Sequence, residues 1–224
     1  MSGNIDSVIE YYKENQHRLI QFQASVEAFF SKHPKLNEKP FPVIHSIKTR
    51  IKDPEHLRDK IERKEANGIE INEGNLFREV TDLIGLRVLH IYQDQFPIIH
   101  NEILSYISQG DWVFVEDPKA MTWDPESKQM YDNLNIDTEV RPTFYTSVHY
   151  LIKPNNNNPN PICCEIQVRT LFEEIWGEID HSINYPHPTE SISCKEQLRV
   201  LSKLVGTGTR LADSIFRTLN EDKK

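Results

Sequence analysis

Cysteine is scarce and poorly spaced in this 224-residue chain. Two of its three cysteines are adjacent (Cys163, Cys164) and the third is distant (Cys194), which excludes a disulfide framework and a spaced thiolate metal site. Long apolar runs are missing too. None approaches the roughly 18 residues that cross a bilayer, and Met1 to Asp6 carry neither the cationic nor the apolar segment of a secretion signal. Membrane insertion and export by that route are not expected, and the cytoplasm is the expected compartment. Glycine is sparse, with 8 residues, and the devices that depend on it are absent. No Gly-rich run ends in Gly-Lys-Ser/Thr, and Gly206-Thr207-Gly208 lacks the third glycine and preceding strand of a dinucleotide fingerprint. A Gly-x-Ser-x-Gly elbow and a His-Glu-x-x-His zinc helix are also missing. Among the scattered histidines, His45, His56, His90, His100, His181 and His187 read as structural or surface residues, and Cys163 and Cys164 as strand packing.

What is present suits one medium domain with helical embellishments: 38% hydrophobic and 27% charged residues can bury a core and are neither fibrous nor broadly disordered. The net charge of -8 is unevenly spread. Residues 111–140 hold eight acids against Lys119 and Lys128, a local net of -6. Conversely Lys48, Arg50, Lys52, Arg58, Lys60, Arg63 and Lys64 fall within 17 residues. An anion site is therefore compatible with an acidic protein.

Apolar positions from Ile5 to about Phe30 recur mostly at helical spacing until Pro34, Pro40 and Pro42 forbid continuation. This gives a first unit, residues 1–40, of helix and irregular link. Asp53-Pro54-Glu55 has the cap, the first-position proline and the acid of a helix start, so the basic cluster straddles a helix N-terminus. Leu83 to Tyr92 is apolar and branched, as in a central strand buried on both faces. A helix over 95–108 ends at Gly110, a strand begins near Trp112, and the acidic stretch 111–140 is expected to be a surface insertion. Strands over Phe144–Ile152 and Ile162–Arg169 flank an Asn-rich loop, and helices over Leu171–Asn184 and Cys194–Leu219 close the chain. The stripe Leu171, Phe172, Ile175, Trp176, Ile179, Ile183 reads as a core-facing side of the first of these. The fold class is α/β (α+β), a mixed and mainly antiparallel sheet flanked by helices.

Alternation along the last two strands sends Tyr145, Ser147 and His149 to one face of the first and Glu165, Gln167 and Arg169 to one face of the second. A hairpin symmetric about Asn157 would set His149 opposite Glu165, Ser147 opposite Gln167 and Tyr145 opposite Arg169. From spacing alone, that surface is equally well a solvated sheet face.

Four segments in a fixed order carry a resemblance: Lys48-Thr49-Arg50-Ile51-Lys52-Asp53-Pro54, Asp82-Leu83-Ile84-Gly85-Leu86-Arg87-Val88, Tyr145-x-Ser147-x-His149, and Glu165-Ile166-Gln167-Val168-Arg169-Thr170 followed by a Trp-Gly-Glu-x-Asp-His helix. Together they resemble the synthetase domain of the RelA/SpoT family over about residues 41–220. The resemblance implies a nucleotidyltransferase-like fold. It also implies transfer of the β,γ-diphosphate of ATP to a ribose 3′-hydroxyl, usually of GDP or GTP, giving AMP and the stringent-response alarmone (p)ppGpp. It assigns Lys48, Arg50, Lys52 and Lys60 to the ATP phosphates, with Arg50 and Arg87 stacking on adenine. Arg63 and Lys64 are weaker candidates. Asp82 and Glu165 would share Mg²⁺, and Glu165 would also activate the acceptor hydroxyl. Tyr145 would stack on the acceptor base, while His149, Gln167 and Arg169 orient the acceptor.

The chain departs from the family pattern on the acceptor side. Many guanosine-using members carry a Lys-rich loop ending Asn-Gly-Tyr-x-Ser-x-His, whereas this one reads Arg141-Pro142-Thr143-Phe144-Tyr145-Thr146-Ser147. Alternatives to GDP and GTP are therefore the CCA end of tRNA, as in toxin-like relatives, or an adenosine nucleotide. A catalytically silent nucleotide-binding regulator is a further alternative, opposed by the retention of Asp82 and Glu165. The oligomeric state, a homo-oligomer included, is open.

Overall fold

The computed structural model describes residues 2–185 and 187–222. The apolar N-terminal stretch forms two helices, α1 (Ser2–Glu14) and α2 (Gln16–Lys32), where one was expected. They part at Asn15, whose side-chain amide donates to the Tyr11 carbonyl and competes with the helical ladder. Strand β1 (Ser46–Ile51) leads to α3 (Pro54–Ala66), where the Asp53 carboxylate accepts from the Glu55 amide at 2.8 Å as its sequence requires. A single turn, α4 (Leu76–Glu79), precedes the central strand β2 (Ile84–His90). Helix α5 (Phe96–Gln109) ends at Gly110, whose φ of +90° is the left-handed conformation that glycine tolerates.

Next come β3 (Trp112–Thr122), α6 (Pro125–Asn133) and β4 (Asp137–Val140). The acidic stretch 111–140 is thus part of the sheet, contrary to the expected surface insertion. Register irregularities at Phe114/Glu116 and Glu116/Lys119 break the alternation in the acidic middle of β3, while Trp112 and Ala120 on either side are buried, as are Tyr131 and Ile136. Strands β5 (Ser147–Pro154) and β6 (Cys164–Thr170) form the expected hairpin, followed by α7 (Leu171–Asn184) and α8 (Ile192–Glu221).

The six strands order as β1-β2-β6-β5-β3-β4, with β2–β6 and β3–β4 parallel and the other pairs antiparallel. One sheet face carries Leu86, Val88, Val148, Tyr150, Ile166 and Val168, all buried in the main core with residues of α1, α2 and α5. The other face carries the polar residues of the site. Helix α7 buries only Trp176 and Glu174 fully; Ile175 and Ile179 are exposed, so the expected core stripe is half a stripe. Among the described residues no helix is long and apolar enough to cross a membrane.

Candidate active site

Register decides which polar side chains meet. In the β5–β6 hairpin His149 faces Gln167 and Leu151 faces Glu165, so the pairing is two residues away from the symmetric hairpin expected about Asn157. A shift of two preserves the face of every side chain, and the polar surface survives it. Tyr145 lies before β5 begins rather than on it. Across the sheet, Arg50, Gly85 and Glu165 form one row and Lys48, Arg87, Gln167 and His149 the next. Residues 80 positions apart in sequence, such as Gly85 and Glu165, become neighbours through the parallel β2–β6 pairing.

Lys48, Thr49, Arg50, Gly85, Leu86, Arg87, Glu165 and Gln167 line a groove of about 230 Å³ on this face. Gly85 has a physical role in it. A Cβ at that position would stand 3.0 Å from Arg50 Nε and 3.2 Å from Arg50 Cγ, so its hydrogen allows the Arg50 side chain to lie over the strand. Lys52 and Lys60 do not line the groove but converge on Asp82, at 3.1 and 2.7 Å. Burial opposes the Asp82 charge, yet the two ammonium groups outweigh it and hold the carboxyl below its ordinary range; burial likewise lowers the Lys52 pKa. The Lys52 backbone is anchored by α1, whose buried Tyr12 donates its hydroxyl to the Lys52 carbonyl. Arg63 is exposed on α3, and neither it nor Lys64 lines the groove.

A hydrogen-bonded chain runs from Tyr145 to Glu165. The Tyr145 hydroxyl lies 3.0 Å from His149 Nε2, and His149 Nδ1 lies 3.2 Å from Glu165 Oε1, while Gln167 donates to Glu165 Oε2 at 3.1 Å. A carboxylate can only accept, so the His149 proton sits on Nδ1 and, in the neutral ring, Nε2 accepts from Tyr145. Burial raises the Glu165 pKa, but the His149 contact and the Gln167 hydrogen bond bring it below the ordinary value, so the group is ionised at neutral pH. Burial raises the Tyr145 pKa and keeps its proton on the oxygen. Arg169 has a different place from the one its sequence position suggested. Its side chain is 3% exposed, paired with Glu174, with its guanidinium 5.7 Å from the Tyr145 ring centre, so it underlies Tyr145 instead of facing the groove.

Sequence reading missed two carboxylates of α7. Glu174 contacts Lys48 at 2.7 Å, Arg87 at 3.2 Å and Arg169, and Glu178 contacts Arg87 and lies 3.9 Å from Lys48. Glu178 lies in the Trp-Gly-Glu-x-Asp-His motif without a role assigned to it there, and the i, i+4 spacing of the pair is the other available signal.

Residues 49–190 match the model of the region found in RelA/SpoT proteins. The chain belongs to the RelA/SpoT family. Its relatives include the GTP pyrophosphokinase YwaC of Bacillus subtilis, 23% identical over 81% of this chain and 79% of that protein. The small alarmone synthetase 1 of Bacillus subtilis superposes with a TM-score of 0.68 at 18% identity, covering 95% of this chain and 97% of that one. The same enzyme bound to its product pppGpp gives 0.66 at 19%, covering 93% and 99%. At these identities the structural likeness establishes the fold, the mixed sheet with flanking helices of the RelA/SpoT synthetases.

Among the described residues no group of three or more His, Cys, Asp or Glu side chains could cage a metal ion. Two carboxylates remain as candidate donors: Glu165, and Asp82, whose charge acts on Glu165 and which Lys52 and Lys60 hold. A pair of hard oxygen donors completed by substrate phosphates fits Mg²⁺.

Proposed function

We propose that this chain transfers the β,γ-diphosphate of ATP to the 3′-hydroxyl of GDP or GTP, forming (p)ppGpp and AMP. The observation that carries the reading is the convergence, in a RelA/SpoT-family fold, of a cation-lined groove with a carboxylate on which a Tyr-His chain ends. Lys48, Arg50, Lys52 and Lys60 neutralise the polyphosphate, and the planar guanidinium groups of Arg50 and Arg87 offer faces to adenine. Asp82 and Glu165 would hold Mg²⁺, whose charge would offset that of the phosphate oxygens.

Glu165 accepts the proton of the acceptor hydroxyl as its oxygen bonds to the β-phosphorus, and the bond from that phosphorus to the α,β-bridging oxygen breaks to release AMP. His149 and Gln167 fix the Glu165 carboxylate on two sides. Tyr145, buttressed by Arg169, provides the ring for the acceptor base. Little covalent chemistry falls to the protein; positioning and charge supply the rate.

The test is to incubate the protein with γ-labelled ATP and, separately, GDP, GTP, ADP and deacylated tRNA. Label in GDP or GTP is expected. Label in ADP or tRNA alone would move the acceptor assignment to the corresponding alternative, and no label in any would refute catalysis in favour of a silent nucleotide-binding protein.

A further inference from the structure

Of the buried carboxylates without a part in the proposed reaction, Glu174 touches cations assigned to both substrate seats. Glu174, one turn into α7, is 4% exposed and does not line the groove. Oε1 lies 2.7 Å from Lys48 Nζ and 3.2 Å from Arg87 NH1, and Oε2 meets Arg169 NH2. Lys48 and Arg87 line the donor groove, whereas Arg169 lies beneath Tyr145 on the acceptor side. One turn further along the helix, Gly177 makes room for the same guanidinium, since a Cβ there would stand 2.8 Å from Arg169 NH1.

The three pairs differ in kind. Arg169 is buried and requires a counter-charge, because an uncompensated interior cation is strongly destabilising. The Lys48 side chain is 54% exposed and that of Arg87 35%, so water could solvate both without help. Such pairs add little stability; what they fix is where the ammonium and the guanidinium sit.

We propose that Glu174 is a positioning residue that anchors both seats at once, holding Lys48 and Arg87 for the donor and, through Arg169, the Tyr145 ring for the acceptor. This rests on the donor and acceptor assignments above. It assigns α7 a coupling role: a shift of this one helix moves the cations of one substrate and the stacking ring of the other together.

Glu174→Gln keeps the shape and removes the charge. The Michaelis constants for ATP and for the acceptor should each rise about fivefold or more, a modest part of what a charge-assisted hydrogen bond can contribute. A merely structural role would instead lower the unfolding temperature and the active fraction while leaving both constants in place. Gly177→Ala, which favours the helix but displaces Arg169, should raise the acceptor constant and leave that for ATP within about twofold. If Glu174→Gln fails to fold because Arg169 is stranded, Glu174→Gln/Arg169→Met removes both interior charges, and its ATP constant must still rise. Calorimetric titration with the non-hydrolysable analogue AMPCPP measures the donor half without turnover. A wild type that binds AMPCPP but labels no acceptor removes the proposed reaction and leaves Glu174 to be decided by the ratio of dissociation constants. An unchanged ATP constant and AMPCPP affinity in the folded variants, or an unchanged acceptor constant in Gly177→Ala, overturns the inference.

Discussion

Replacing Glu165 by Gln removes one negative charge from the site and almost nothing else. The amide oxygen can still accept from His149 Nδ1, now 3.2 Å away, and Gln167, which donates at 3.1 Å, keeps a partner by turning its amide so that its oxygen accepts from the new NH2. Two opposing changes in stability follow. The buried charge no longer has to be desolvated or set against Asp82, but the charge-assisted contact with His149 is lost. With pairs of this exposure the balance should stay within about 1 kcal/mol, a shift of roughly 2 to 4 °C in unfolding temperature for a chain of this size. Catalysis should respond very differently. Losing one preorganised charge at the reacting atoms typically costs about 100-fold or more in turnover, or roughly 2.7 kcal/mol. Because the Glu165 pKa is held below its ordinary value, wild-type turnover should not fall through titration of this group between pH 5 and 7, and the comparison can be made at any pH in that window. Label transfer from γ-labelled ATP, run beside a thermal scan, gives both quantities. A folded variant retaining more than about a tenth of wild-type turnover would remove Glu165 from the chemistry. A drop of more than about 10 °C would mean that the lost activity reports folding.

Asp82→Asn should raise the Mg²⁺ concentration needed for half-maximal activity, and an unchanged Mg²⁺ titration would exclude Asp82 as a metal ligand. Tyr145→Ala should raise the acceptor Michaelis constant by roughly 5- to 150-fold, from about 1 to 3 kcal/mol of base stacking, with ATP nearly unaffected. Tyr145→Phe keeps the ring but frees His149, so turnover should fall less than about tenfold at an unchanged acceptor constant; equal activity of Tyr145→Ala and wild type at limiting acceptor would make the ring sheet packing only. Burial raises the Glu173 carboxyl to about 7, so the folded state binds this proton more tightly than the unfolded chain. Stability should therefore decline as pH rises from about 4.5 towards 7, by on the order of 1 to 3 kcal/mol. Glu173→Gln, which can still cap the Thr170 amide, should abolish that slope in urea titrations at pH 5 and 8.

The strongest local patterns were legible in the sequence: the Asp53-Pro54-Glu55 helix start, the apolar β2, the Gly110 terminus and the alternating faces of the hairpin. All are set by short-range chemistry. The start of the strand at Trp112 was legible, but its course to Thr122 was not, because Val115, Glu116 and Asp117 are exposed one after another where the register is irregular and so show no alternation. The hairpin register depends on the conformation of the Asn-rich loop, which symmetry about one residue does not capture. The family motifs named the groove residues, but not how they are held. Arg169 was expected to meet the acceptor directly, and its seat between Tyr145, Glu174 and Gly177 is a tertiary fact with no local signature. Tyr12, which ties down the Lys52 backbone, lies outside the family motifs.

Beside the groove Lys52 and Lys60 share Asp82, while Lys48 and Arg87, which line it, share Glu174 and Glu178. On the proposed assignment, capture of a polyphosphate would be an exchange of ionic partners, with a free energy that is the difference between two sets of pairings. Such an exchange responds weakly to ionic strength, because charge is redistributed more than it is newly neutralised. It also filters ligands: a lone phosphate brings too few oxygens to replace several carboxylates at once, whereas drawing Asp82 away releases two lysines together. On the proposed assignment, the ion pairs of this face would therefore favour a polyphosphate over a single phosphate.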